Sequence, residues 1–99
     1  MKIKVLLVMP GKEPQVIKIP SSLKFIKAFI GPNLYTERLE KDIYLLADNN
    51  AHREDFNRFM KDGGIILGTF IIVSMKNKHL SSLKKKFIRK YTNTFKLRK

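Results

Sequence analysis

The residues that could carry catalysis or bind a metal are few, and their spacing matches no common site. His52 and His79 are the only histidines, and neither has an acid and a serine at the spacing of a nucleophilic site. The run Asp48-Asn49-Asn50 begins like a calcium loop but lacks the glycine and the distal glutamate of that motif. Gly63-Gly64 precedes a predicted strand rather than a helix, unlike a phosphate-binding loop. We therefore expect no enzyme, no metal site and no cofactor.

The cysteine content and the first residues bear on where the protein works. The sequence has no cysteine, which excludes thiol nucleophiles and zinc–cysteine sites and is typical of the reducing cytoplasm. Residues 1–9 are mostly apolar, but Lys4 interrupts them and no small-residue cleavage site follows, so they indicate a strand rather than a signal peptide. We expect a cytoplasmic protein that does not associate with membranes.

The distribution of charge is the strongest chemical signal in the sequence. The formal net charge is +13, yet residues 1–75 contain eleven basic residues and all eight acidic ones. Residues 76–99 contain ten basic residues and no acid. The lysine bias of an AT-rich genome would have enriched both parts, so the segregation favours a polyanionic partner. The candidate contact residues are Lys84, Lys85, Lys86, Arg89, Lys90, Lys96, Arg98 and Lys99.

Residues 65–75 form an apolar stretch against which the other elements are predicted to pack. The stretch is rich in β-branched residues and too short to span a bilayer, which is typical of a central strand covered on both faces. The periodicity and turn residues around it predict an α+β fold with a mostly antiparallel mixed sheet of about five strands, in the order β-β-α-β-β-α-β-α. The predicted elements are strands 3–8 and 15–19, helix 23–30, strands 34–39 and 43–47, helix 53–60, strand 65–75 and helix 80–95. In the helix over residues 53–60, Phe56, Phe59 and Met60 are predicted to cover the sheet.

In the predicted C-terminal helix, apolar and basic residues occupy opposite faces. We expect residues 1–79 to form the sheet body and residues 80–99 to form this basic amphipathic helix of the same single domain. The apolar stripe consists of Leu83, Phe87, Ile88, Tyr91 and Phe95, which is the spacing of a helix face that packs on a core. If the stripe is buried, a rigid domain with a one-sided cationic surface results. If it is exposed, the helix is a mobile amphipathic arm whose Tyr91 and Phe95 can stack on bases.

Short motifs along nearly the whole chain point to a family. They are V-L-L-V-M-P-G-K-E-P at residues 5–14, Gly31 after the first helix, Asn57-Arg58, G-T-F-I-I-V at residues 68–73, and Ser82-Leu83 followed by Lys90-Tyr91. Through them the chain resembles an uncharacterised family of small bacterial, phage and mobile-element proteins, domain of unknown function 3846. The resemblance implies a compact α+β fold and a gene carried by a phage or other mobile element. It carries no established activity or binding site. Where family members usually have a hydroxyl residue and acids after Ser82-Leu83, this sequence has Lys84-Lys85-Lys86, three cations that the helix dipole disfavours.

The resemblance singles out Asn57 and Arg58 as a candidate ligand contact. In one interpretation Arg58 binds an anionic ligand. In the other, the stem of Arg58 packs on Phe56 or Tyr35. Its guanidinium then pairs with an acid such as Asp62 or Glu54. Both interpretations are open at the level of sequence.

Two functions from different classes fit these features. The first is a small nonenzymatic accessory protein, of phage or mobile-element type, that binds nucleic acid or a ribonucleoprotein through the basic C-terminal helix. The second is a protein-binding inhibitor or modulator of a host defence complex, in which the helix occupies an acidic protein surface. A membrane-surface helix ranks third, because its apolar stripe is predicted to pack in the core. The oligomeric state is not predicted by this sequence.

Overall fold

A computed structural model describes residues 1–51, 56–60 and 63–97 of the chain, and it shows an α+β fold. The predicted fold class is confirmed, with an antiparallel sheet and a C-terminal helix. The elements are β1 (Lys2–Val8), β2 (Gln15–Pro20), α1 (Leu23–Ile30), β3 (Leu34–Glu40), β4 (Ile43–Asp48), β5 (Phe56–Phe59), β6 (Ile65–Leu67), β7 (Phe70–Lys76), β8 (His79–Ser81) and α2 (Lys85–Thr94).

The described residues form one large sheet and one small one, and every strand pair in both is antiparallel. The large sheet has six strands in the order β2-β1-β7-β4-β3, and β8 also pairs with β7. β5 and β6 form a separate two-stranded sheet. Residues 71–73 of β7 are fully buried, because β1 and β4 flank the strand and both faces of the sheet are covered. The predicted central position of this apolar stretch is therefore confirmed for β7.

Helices and the small sheet cover the two faces of the large sheet. Helix α1 starts at Ser22, whose side chain caps the amide of Phe25, and it buries Ile26 against one face. Helix α2 and the β5–β6 hairpin share the other face. Their contribution to that core is Ile66 from the hairpin, Leu83 from the segment before α2, Tyr91 from α2 and Phe95 from its C-terminal cap. In the described parts of the chain, no helix has the length and apolarity needed to cross a bilayer.

The prediction of one continuous strand over residues 65–75 is wrong. The chain breaks between β6 and β7 at Gly68, whose φ of +71° lies in the left-handed region that glycine tolerates best. The break allows β6 to leave the large sheet and pair with β5 over one of its faces. Apolar composition alone does not show such a break, since Gly68 lies within a run of strand-forming residues.

The prediction of a helix over residues 53–60 is wrong for residues 56–59, which form β5; residues 53–55 lie outside the described part. The spacing of Phe56, Phe59 and Met60 fits a helix, but long-range bonds favour the strand. The Asn57 side-chain amide donates to the carbonyl of Val8 at 3.0 Å and to that of Gly68 at 2.8 Å, and so holds the strand over the end of the large sheet.

The predicted C-terminal helix begins later than expected, at Lys85 rather than at residue 80. Residues 79–81 instead form β8, which returns along β7 through a turn at Asn77 and Lys78. Both turn residues have positive φ, at 50° and 67°, as in the tight turns of two-residue hairpins. The Lys4 amide then donates to the Ser82 hydroxyl, and the Leu83 amide donates to the Lys4 carbonyl, so the chain stays extended up to the helix.

Replacing Gly68 with alanine tests the break between β6 and β7. The new Cβ would lie 3.1 Å from the Cβ of Ala51, in addition to the cost of positive φ. We expect Gly68→Ala to lower the free energy of unfolding by about 2 kcal/mol in urea titrations. Gly11→Ala is the matched control, with the same φ of +71° and open space around the new Cβ, and it should cost about 1 kcal/mol. Equal losses in the two variants would contradict the close packing at Gly68.

Candidate functional site

The apolar stripe of α2 faces the core, as predicted from its spacing. Leu83, Tyr91 and Phe95 are buried, and Phe87 and Ile88 are half-buried against the same cluster. The ring of Phe95 meets that of Phe70 edge-on, with centroids 5.1 Å apart. The helix is therefore a packed part of the fold, and its basic side is turned towards solvent.

Six of the predicted contact residues are exposed along α2 and at its two ends, and we call them the cationic face. On a helix of 3.6 residues per turn, Lys85 and Arg89 lie one above the other, as do Lys86 and Lys90. The whole cationic face consists of Lys84, Lys85, Lys86, Arg89, Lys90 and Lys96. Arg98 and Lys99, which were predicted to belong to it, lie outside the described residues.

One residue of the cationic face pairs with a carboxylate. Lys90 Nζ lies 2.7 Å from Glu40 Oε2, and the Tyr91 hydroxyl donates to the same oxygen. These two donors hold the pKa of the Glu40 carboxyl below its usual value of 4.5, and the bond from Lys90 is the larger cause. Burial, and to a lesser degree the Glu40 carboxylate, raise the pKa of Tyr91. Within the described ranges this is the single salt bridge, and Lys86 acts on the same carboxylate from farther away.

Two more cations, missed by sequence reasoning, lie next to the start of α2. Lys4 of β1 is directly opposite Lys18 of β2, so both side chains project from the same face of the sheet. That face is the one that α2 covers, because the neighbouring Leu6 packs in the α2 core. Both lysines are exposed. The signal was present in the sequence, since pairing the two predicted strands in this register places the lysines side by side.

Asn57 and Arg58 lie in the interior rather than on a surface. Among the described residues they are the buried polar ones, with 5% and 7% exposure. Arg58 Nε donates to the carbonyl of Phe95 at 2.7 Å, and its terminal nitrogens donate to the carbonyl of Lys12 and to both oxygens of Asn57. Burial lowers the pKa of Arg58, and the nearby Glu13 carboxylate partly opposes this.

Through these bonds Arg58 connects the turn after β1, strand β5 and the end of α2. Glu13 adds a further tie, since its carboxylate accepts the amide of Leu97 at 2.7 Å. The predicted partners Glu54 and Asp62 lie outside the described residues. The geometry gives Asn57 and Arg58 a structural role, and their contact with an anionic ligand stays a prediction.

The residues first considered for catalysis or metal binding do not come together. His79 is exposed on β8, and His52 lies outside the described part. The Asp48 carboxylate accepts the amide of Asn50 and lies against Gly31, where an added Cβ would come within 2.7 Å of it. Across residues 1–51, 56–60 and 63–97, no group of three or more histidine, aspartate or glutamate side chains is arranged to hold a metal ion.

The family model for a domain of unknown function, DUF3846, matches residues 1–96. The chain belongs to the DUF3846 family. The resemblance read from the short motifs is thereby confirmed. No curated protein and no solved structure matches the chain significantly.

In this DUF3846 chain, replacing Arg58 should destabilise the whole fold. Arg58→Ala leaves the carbonyls of Phe95 and Lys12 without their donor inside the protein. We expect the free energy of unfolding to fall by about 2–4 kcal/mol in urea titrations. Arg38→Ala, at an exposed position of β3, is the control and should change it by less than about 0.5 kcal/mol. If Arg58→Ala unfolded at the same urea concentration as the unaltered chain, this would contradict the structural role of Arg58.

Replacing Glu40 should remove a pH-dependent part of the stability. Because the pKa of Glu40 is lower in the folded chain than its usual 4.5, its contribution is present above that pH and is lost as the pH falls. Since the carboxylate is partly exposed, we expect Glu40→Gln to cost about 0.5–1 kcal/mol at neutral pH and close to nothing near about pH 3. Urea titrations at the two pH values measure this. If the free energies of unfolding of Glu40→Gln and the unaltered protein differed by the same amount at both pH values, this would count against the Glu40–Lys90 pair.

Proposed function

We propose that this protein is a nonenzymatic nucleic-acid-binding protein that holds phosphates on the cationic face of α2. The observation that supports this is the segregation of charge in three dimensions. The basic residues of the helix project outward in two rows, while its apolar side packs on the core. Lys4 and Lys18 extend the same positive surface from α2 onto the sheet.

Nucleic acid fits this surface better than a single anion does. A row of cations on a rigid helix matches a polymer with regularly repeated phosphates, and each contact gains free energy by releasing a counterion. The sequence has no helix-turn-helix, zinc-finger or RNA-recognition signature, so the affinity should come mainly from phosphates and depend little on base sequence. The absence of cysteine suits work in the reducing cytoplasm, where this binding is proposed to occur.

The start of α2 gives independent support for an anionic partner. Lys84 is at the N-cap position, and its side chain makes no capping hydrogen bond. A lysine side chain has no hydrogen-bond acceptor, so Lys84 cannot cap the free amides at the start of the helix. Together with Lys85 and Lys86 it places three cations at the positive end of the helix dipole. Each such charge costs a few tenths to about 1 kcal/mol. Phosphates bound at this end of the helix would offset the cost.

Neutralising two cations of the face tests the proposal. We expect the double variant Lys85→Gln/Arg89→Gln to bind a labelled oligonucleotide more weakly. The slope of log affinity against log salt should also become shallower by about 1.4–1.8, because two phosphate contacts are lost. Fluorescence anisotropy at several salt concentrations gives both quantities.

The matched control for this experiment is Lys24→Gln/Lys27→Gln. It removes the same net charge from α1, on the opposite face of the sheet. We expect this control to keep the slope of the unaltered protein. An equal change in both variants would show that binding depends on net charge alone, and it would overturn the assignment to α2.

A further inference from the structure

Two phenylalanine rings on β5 are exposed where the sequence predicted core residues. Phe56 is 42% exposed and Phe59 is 68% exposed, while Asn57 and Arg58 between them point inward. The two rings lie together, with centroids 4.9 Å apart and planes inclined at 60°. The prediction that they cover the sheet is therefore wrong. Neither ring belongs to a core cluster of the described residues.

The hairpin that carries the exposed ring pair borders α2. The β5–β6 hairpin and α2 cover the same side of the large sheet, because Ile66 and Tyr91 belong to one core cluster. The two elements touch where Arg58 Nε donates to the carbonyl of Phe95 at 2.7 Å. Lys96, the next residue, is exposed. Met60, the residue after Phe59, lines one groove with Lys90, Thr94 and Phe95, so the hairpin that carries the rings borders the helix that carries the cations.

The cationic face itself offers few aromatic rings for stacking. Tyr91 and Phe95, which sequence analysis considered for this role, are only 6% and 2% exposed. Phe87 is half-buried, and the ammonium group of Lys86 lies 4.9 Å from its ring centroid. The rings of Phe56 and Phe59 are more exposed than any ring of α2, and they lie beside each other.

We infer that Phe56 and Phe59 are a base-stacking site for single-stranded nucleic acid whose phosphates lie along the cationic face. Proteins that bind single strands combine a positive track for the backbone with aromatic rings for the bases, and this surface has both. A duplex keeps its bases stacked inside and presents only phosphates to these rings. This inference rests on the proposed function and names its substrate as single-stranded rather than double-stranded.

Anisotropy with three labelled probes tests the inference: an oligothymidine of about 15 nucleotides, a duplex of equal length and an abasic strand with the same phosphates. We expect the unaltered protein to prefer the oligothymidine at equal salt. Phe59→Ala should weaken that complex about fivefold to tenfold and leave the duplex and abasic complexes unchanged. Phe29→Ala is the matched control, because Phe29 is 44% exposed on α1 at the opposite side of the sheet, and it should have no effect.

A tryptophan at position 59 gives a second readout. The chain contains no tryptophan, so Phe59→Trp introduces a single indole at the proposed site. Oligothymidine should quench its emission and retain the affinity of the unaltered protein, whereas the abasic strand should leave the emission unchanged. The inference would be overturned if Phe59→Ala bound oligothymidine as tightly as the unaltered protein does. It would also be overturned if the unaltered protein bound the duplex at least as tightly as oligothymidine. Either result would leave the proposed function standing. Failure of the unaltered protein to bind any of the three probes would overturn the proposed function itself.

Discussion

The buried guanidinium of Arg58 is the interaction on which the arrangement of this protein depends. Its bonds reach the turn after β1 at Lys12, the neighbouring Asn57 and the end of α2 at Phe95, three segments far apart in sequence. An arginine can be buried only if its donors are satisfied, since a buried charge without partners costs several kcal/mol. Here backbone carbonyls and an amide supply the acceptors. The same bonds that satisfy the charge therefore fix the position of the last helix on the sheet.

Once α2 is docked, its amphipathic pattern determines the surface of the molecule. Tyr91 and Phe95 are drawn into the core, so the other side of the helix faces solvent, and four of the five exposed residues of α2 are basic. Glu40 pairs with Lys90 of one row, and Lys85, Lys86 and Arg89 are exposed beside it. The positive charge of this surface thus follows from the packing of the apolar side chains of α2.

The sequence predicted the features that depend on local periodicity and missed those set by long-range contacts. The central strand β7, the strands β1 to β4 and the buried stripe of α2 follow from patterns within each segment. Phe56, Phe59 and Met60 have helical spacing, but long-range contacts favour a strand. These are the pairing of β5 with β6 and the bonds from Asn57 to the carbonyls of Val8 and Gly68. The cations along α2 could be named in advance, whereas the aromatic pair beside them could not. The two rings are exposed because β5 turns Asn57 and Arg58 inward, and the local sequence pattern does not predict this orientation.

Amide hydrogen exchange over residues 87–95 of the ligand-free protein is the most direct test of the central claim that α2 is a docked helix with a fixed cationic exterior. The account predicts strong protection at Tyr91 and Phe95, and exchange at these amides should accelerate in Arg58→Ala under conditions where the sheet remains protected. Exchange in the unaltered protein as fast as in an unstructured peptide would contradict it. In that case the basic segment would be a mobile arm and the defined surface described for this fold would not exist.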